Sequence, residues 1–297
     1  MIMVLVLSFC VYVADVSAQK PIRVVTTIGQ ITDVVRIIGG EYVQVEGLMG
    51  AGVDPHLYKA SESDVRKLAQ ADLIFYNGLK LEAKMEEIFE KMGRQVKTVA
   101  LGDVLDHDRL LDSEKYPGHF DPHIWFDITL WQKIVEGIRD ELGAFDAVHK
   151  PEYDARASEY LKKLDELHLY IQRRSQELPD PQRVLITAHD AFRYFGRAYQ
   201  FEVMGLQGIS TQSEAGTADV KRLADFITER RIKAVFIESS VPERNIRAVQ
   251  EAVKARGWEV KIGGELFSDA MGDEGTFEGT YIGMVTHNID TIVGALK

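Results

Sequence analysis

Between Pro151 and Leu178 the chain carries no glycine and, after its first residue, no proline. Within this stretch Tyr153, Ala157, Tyr160, Leu164, Leu167 and Ile171 recur at alternating steps of four and three, which draws one apolar seam along a helix. A continuous helix here spans on the order of 40 Å at about 1.5 Å per residue. Lys162, Lys163, Asp165, Glu166, Arg173 and Arg174 make its other face polar, and Pro179-Asp180-Pro181 ends it. Such a helix either folds back as a local hairpin partner or serves as a rigid spine between two lobes. The pattern on its two sides favours the spine.

Before the spine, β-branched or apolar runs at Ile22–Thr27, Tyr42–Leu48, Leu73–Tyr76 and Lys97–Leu101 alternate with helical spacing at Ile31–Ile38, Ser61–Ala71, Lys80–Met92 and Ile128–Leu142. Ser61 is a candidate N-cap. After the spine the same rhythm resumes, with strands expected at Val184–Thr187, Ala234–Glu238 and Trp258–Ile262 and an apolar segment at Phe201–Leu206. Helices are expected after His189 and at Thr217–Glu229, Asn245–Arg256 and Tyr281–Leu296. Alternating strands and helices predict an α/β fold of two lobes, each a mainly parallel sheet with flanking helices, joined by one long backbone helix. The expected division is a signal segment at 1–18, an N-terminal lobe at 19–150, the linking helix at 151–178 and a C-terminal lobe at 179–297.

Composition narrows the function. The 297 residues are 45% hydrophobic and 27% charged, an ordinary globular balance, and the formal net charge of −11 argues against a nucleic-acid surface, which needs a basic face. Met1 to Ala18 form an apolar run followed by small residues at Val16-Ser17-Ala18, the pattern of an export signal, either cleaved or retained as a membrane anchor. No Lys or Arg precedes that run, and Phe9 before Cys10 is a poor residue for lipoprotein processing. Cys10 is the only cysteine and lies inside this segment, so a metal site in the exported chain must be built from His and carboxylates.

Two turns share one pattern: Val53-Asp54-Pro55-His56-Leu57-Tyr58 and Phe120-Asp121-Pro122-His123-Ile124-Trp125. Proline stiffens each turn and biases the residue before it toward an extended shape. Asp-Pro also makes turns in which a neighbouring His is a bystander, and for a single copy that reading is preferred. Two copies with the same flanks favour two matched presentations of a metal ligand. His189 closes a buried strand, and Asp269 follows the strand expected to end near Ile262. Groups at the carboxyl ends of strands converge in open α/β sheets. His56, His123, His189 and Asp269 therefore form a candidate metal site in the cleft between the lobes. Three imidazoles and a carboxylate suit zinc, and a bidentate Asp269 also admits manganese.

The remaining candidates are weaker. His107 and His119 sit in or beside a polar loop, solvated or capturing metal in transit. His149, His168 and His287 read as structural. Glu238 at a strand end is a hydrogen-bond acceptor or a cap, and Glu214 is a weak candidate. Trp125, Phe126 and Phe192 read as apolar packing that keeps water from the site. Gly-x-Ser-x-Gly, phosphate-loop and His-Glu-x-x-His patterns do not occur, so common hydrolase and nucleotide readings lack support.

Four ordered motifs carry a resemblance: Gly52-Val53-Asp54-Pro55-His56-Leu57-Tyr58, Asp121-Pro122-His123-Ile124-Trp125, Thr187-Ala188-His189-Asp190-Ala191-Phe192 and Leu266-Phe267-Ser268-Asp269-Ala270-Met271-Gly272. The chain resembles the metal-binding solute receptors of bacterial ABC importers, the family that includes ZnuA, PsaA and TroA, and its motifs and its stretch from Glu278 to Asp290 are most like TroA members. The resemblance implies a periplasmic or otherwise extracytoplasmic, non-enzymatic, monomeric receptor. It also implies Zn²⁺ or Mn²⁺ held in the interlobe cleft by the residues at these four positions and delivery to a permease driven by its ATPase. His189 in place of the Glu of manganese receptors implies zinc or mixed zinc/manganese binding, and the lack of a long His-rich loop leaves manganese open. A zinc-dependent enzyme using the same cluster, or an adhesin on this scaffold, are the alternatives.

Overall fold

A computed structural model of the protein describes residues 20–113 and 117–297. The expected signal segment at 1–18 lies outside the described residues. The chain folds as a two-lobed α/β structure. In the first lobe the order is β1 (Ile22–Thr26), α1 (Gly29–Gly39), β2 (Val43–Gly47), α2 (Glu62–Gln70), β3 (Leu73–Tyr76), α3 (Glu86–Met92), β4 (Lys97–Ala100) and α4 (Ile128–Phe145). Its strands form one sheet in the order β2-β1-β3-β4, every pair parallel. β1 and β3 are central, which is why Val24, Val25, Leu73, Ile74 and Phe75 are all buried. Ser61 caps α2 in a reciprocal box: its hydroxyl accepts from the Asp64 N–H, and the Asp64 carboxylate accepts from the Ser61 N–H.

The spine is α5 (Lys150–Ser175), a 26-residue helix with Pro151 in its first turn. All six seam residues are buried, and they pack α5 against α1 and α4 of the first lobe and, further along, against α6 (Arg193–Tyr199) and α9 (Tyr281–Leu296). Polar ties fix both ends. Arg156 donates to the carbonyls of Ile38 and Gly39, where α1 ends. Arg174 and Tyr170 both donate to Asp290 on α9, at 2.7 Å each.

The second lobe continues with β5 (Val184–His189), α6, β6 (Glu202–Gln207), α7 (Thr217–Arg230), β7 (Ala234–Glu238), α8 (Arg244–Lys254), β8 (Lys261–Leu266) and α9. Its strands form two parallel pairs, β5 with β6 and β7 with β8, with β5 lying beside β7. Every residue of β5 is buried, because the strand separates two cores. Leu185 joins a large core that runs through the first lobe, α5 and α9, while Val184, Ile186 and Ala188 join a smaller core under α7 and α8.

Several element boundaries differ from those expected. The strand expected at Trp258–Ile262 instead runs from Lys261 to Leu266, straight through Gly263-Gly264. Here the glycines permit close packing. A Cβ on Gly263 would stand 2.7 Å from both Ala295 of α9 and the Phe236 ring, and Gly264 holds a φ of 146°. The helix expected over Lys80–Met92 is a single 3-10 turn at Ala83–Met85 followed by α3, because Gly78, Leu79 and Lys80 all take left-handed φ values. The spine stops at Ser175 rather than Leu178.

Candidate metal centre

Each member of the four-residue set sits where an element turns over. His56 and His123 lie in the two Asp-Pro-His turns. In both, the Asp accepts the backbone N–H of the His two residues on, at 2.9 Å from Asp54 and 3.0 Å from Asp121, an Asx turn that follows from the sequence spacing. His189 is the last residue of β5. Asp269 stands three residues beyond β8, on a loop whose Phe267 N–H and carbonyl are both held by the Asn288 side chain, at 2.9 and 2.7 Å. Gln30 of α1 donates to the Asp269 carbonyl across the cleft.

These elements bring four donor groups to one point. His123 Nε2 is 3.3 Å from His56 Nε2, from His189 Nε2 and from Asp269 Oδ1, and His189 Nε2 is 3.3 Å from Asp269 Oδ2. His56 Nε2 is 3.7 Å from Asp269 Oδ2, and all four chosen donors lie within 4.8 Å of one another. Donors about 2.05 Å from a zinc ion at tetrahedral angles stand about 3.3 Å apart. None of the four residues is more than 1% exposed. Neither oxygen of Asp269 has a hydrogen-bond partner, although a buried carboxylate is costly unless compensated. Both oxygens face imidazole nitrogens, so the residues present fit a divalent cation, with Asp269 offering one oxygen or two.

Behind the donors, carboxylates orient the rings. Asp121 Oδ1 is 2.7 Å from His123 Nδ1. Glu238 accepts the His189 N–H at 2.8 Å and meets His189 Nδ1 at 2.5 Å. A proton held on Nδ1 leaves the Nε2 lone pair pointing at the common centre. The Trp125 indole crosses His123 with ring centroids 5.3 Å apart and donates to the Ser268 carbonyl at 3.0 Å. Phe126 stacks on Phe192 at 4.3 Å.

Charge follows the same geometry. Burial opposes protonation of His123, but Asp121 and Asp269 outweigh it and raise His123 to about 9. Burial is likewise overcome at His189, which Asp269 and Glu238 hold well above the ordinary imidazole range. Asp269 is held well below the carboxylate range because His189, His123 and His56 outweigh its burial. His56 goes the other way, lowered to about 3 by burial, and its Nδ1 has no partner. The raised His123 and His189 and the lowered Asp269 are two sides of one buried charge cluster.

The other sequence candidates lie elsewhere. His119 lines a cavity of about 410 Å³ beside His56, with Lys80, Phe120 and Gln212 among its walls. His107 packs on Phe120 at 5.1 Å and borders an adjoining groove that also holds Glu86, Glu90 and Asp103. Glu214 is exposed, 3.7 Å from Arg244, away from the centre. His149 stacks on Tyr42 and bonds Asp146, His168 meets Tyr199, and His287 meets the Glu265 carbonyl. Sequence reasoning treated Asp121 and Asp54 only as turn formers. Their position two residues before each His was the available signal for a further role.

The family described as "ZnuA: Zinc-uptake complex component A periplasmic" matches residues 24–295. The chain belongs to this family. It is 52% identical over 282 residues to the zinc-binding protein TroA of Treponema pallidum (strain Nichols), covering 95% of this chain and 91% of that protein. It is 47% identical over 284 residues to the manganese-binding lipoprotein MntA of Bacillus subtilis (strain 168), covering 96% and 92%. The solved structure of the periplasmic zinc-binding protein TroA from Treponema pallidum superposes with a TM-score of 0.91, covering 93% of this chain and 99% of that one.

Proposed function

We propose that this protein is an extracytoplasmic metal receptor. It captures Zn²⁺, and also admits Mn²⁺, through His56, His123, His189 and Asp269, and it hands the ion to the permease of an ABC importer driven by its ATPase. The carrying observation is the buried Asp269 carboxylate, whose two oxygens face the Nε2 atoms of three histidines at 3.3–3.7 Å. In this reading the first lobe (19–150) supplies His56 and His123, the second (179–297) supplies His189 and Asp269, and the helix between them limits lobe closure. The ties of α5 to α1 and α9 support that stiffness. The apolar segment before Gln19 exports the chain, which acts as a monomer; no helix among the described residues is long and apolar enough to cross a membrane.

The chain's own residues do the following work. Asp121 and Glu238 orient two imidazoles. Trp125, Phe126 and Phe192 keep water out. His123 and His189 give up protons as the ion arrives. Metal choice follows the donor set: three nitrogens favour zinc, while the second oxygen of Asp269 supplies the extra donor that manganese accepts. The relatives carry both metals in their names, zinc for TroA and manganese for MntA. The test is metal analysis of protein purified without chelator or added metal, with competition titration by Zn²⁺ and Mn²⁺. One equivalent of divalent metal per chain is expected, with Zn²⁺ displacing Mn²⁺. A chain that binds neither ion tightly contradicts the proposal.

A further inference from the structure

We propose that Thr211, with Gln212 beside it, is a latch across the cleft that holds the His56 turn in place and sets how fast the metal is released. This rests on the metal-receptor reading above. All four donor residues are almost fully buried, so an ion leaves only when a donor moves. His56 is the donor that lines the 410 Å³ cavity, and its second ring nitrogen is unpartnered. The Nδ1 atoms of His123 and His189 are each tied to a carboxylate. His56 is therefore the donor with space beside it and no hydrogen bond on the far side of its ring.

What holds His56 comes from the opposite lobe. Asp54 Oδ1 accepts the His56 N–H, and Asp54 Oδ2 accepts the Thr211 hydroxyl at 2.6 Å. The next residue, Gln212, donates from Nε2 to the His56 carbonyl at 3.3 Å. Two consecutive side chains of the loop after β6 thus grip the two backbone polar groups of His56, one directly and one through Asp54. Thr211 is buried at 7% exposure, so its bond to a carboxylate is shielded from water and strong for its kind. At the other turn Arg193 lies 3.6 Å from Asp121 Oδ2 and the Tyr194 hydroxyl donates to the Asp121 carbonyl, but there the His123 ring is also tied from within its own turn, because the oxygen that accepts the His123 N–H meets that residue's own Nδ1. With the latch closed the His56 ring stays over the ion. With it open the turn swings into the cavity and the ion keeps three donors. Thr211 touches no donor atom and acts by positioning, so its loss raises the release rate without removing a ligand.

The test compares the full chain with Thr211→Val, Thr211→Ser and Gln212→Ala. Each is loaded with Zn²⁺, checked for metal content, and mixed rapidly with a fluorescent chelator to read the release rate; thermal unfolding of the metal-free forms is measured in parallel. Thr211→Val is expected to hold one equivalent and release it about tenfold faster or more. Thr211→Ser, which keeps the hydroxyl, is expected to stay near the original rate, and Gln212→Ala to release a few-fold faster. A Thr211→Val protein that holds one equivalent and releases it at the original rate overturns the latch, and so does a Ser variant as fast as the Val variant. If Thr211→Val does not fold, the exposed Gln212→Ala decides: unchanged release overturns the proposal. An unsubstituted chain that holds no zinc defeats the receptor reading instead, so the two failures are distinct.

Discussion

Asp54 accepts the His56 N–H with one oxygen and the Thr211 hydroxyl with the other; Asp121 accepts the His123 N–H and meets His123 Nδ1 with the same oxygen. The two turns begin from the same Asp-Pro-His sequence and the same Asx bond, and side chains of the opposite lobe reach both, yet only the His123 imidazole is also tied by the Asp of its own turn. Charge separates them further, with His123 raised to about 9 and His56 lowered to about 3. The repeated motif therefore sets the backbone of each His, while the Nδ1 contact that only Asp121 makes ties one ring and not the other. His123 is the centre of the cluster, within 3.3 Å of all three other donor groups, and His56 is the wall that borders open space.

The largest expected difference comes from removing each ring. His123→Ala should abolish one-equivalent binding, and His56→Ala should keep one equivalent at an affinity lowered beyond the roughly 100-fold that follows loss of a residue behind a ligand. Isothermal titration with Zn²⁺ reads both, and equal losses would erase the distinction between anchor and wall. Next come the carboxylates. Asp121→Asn should lower affinity about 10- to 100-fold, because the ring loses the partner that fixes its tautomer. Asp54→Asn, which touches no imidazole nitrogen, should cost less than about tenfold.

The metal-free protein offers a third contrast, in pH. His56 is held at about 3 when folded against about 6.5 when unfolded, so between those values the folded chain binds fewer protons. Its contribution to stability is present above about pH 6.5 and is lost as pH falls toward 3. His123 is raised, so its contribution is present below about pH 6.5 and is lost as pH rises through 9. In urea unfolding across that range, His56→Gln should flatten the acid limb and His123→Gln should reduce the alkaline one. Each full proton is worth about 1.4 kcal/mol per pH unit. An exchange of the two effects would contradict the assignment.

The smallest contrast lies in the aromatics that follow each His. Trp125 is fully buried and holds the Ser268 carbonyl, while Tyr58 is half-buried and donates to Asp64. Trp125→Phe leaves a buried carbonyl unpaired and should cost about 1–3 kcal/mol, whereas Tyr58→Phe should cost about 1 kcal/mol or less in chemical denaturation.

Much of this was legible in the sequence, for identifiable reasons. The spine could be read because its seam is regular and free of glycine, and the convergence of His56, His123, His189 and Asp269 because each stands at a turn between elements in a recognisable motif. Glu238 could be read as an acceptor because it ends a strand. Thr211 could not: its partner Asp54 lies 157 residues away and nothing local marks the bond. Gly263-Gly264 misled because glycine signals a strand end in sequence and close packing in the fold, where α9 lies directly over it. The left-handed Leu79 and Lys80 broke an apparently regular helix pattern for which composition gives no warning.

The central claim is that His56, His123, His189 and Asp269 hold one ion together. Anomalous diffraction at the zinc edge, from crystals of the protein loaded with one equivalent of Zn²⁺, tests it directly. A single strong peak is expected about 2.0–2.2 Å from the three Nε2 atoms and from an Asp269 oxygen. A peak at any other residues, or one bound by His123 and His189 with both His56 and Asp269 turned away, would contradict it.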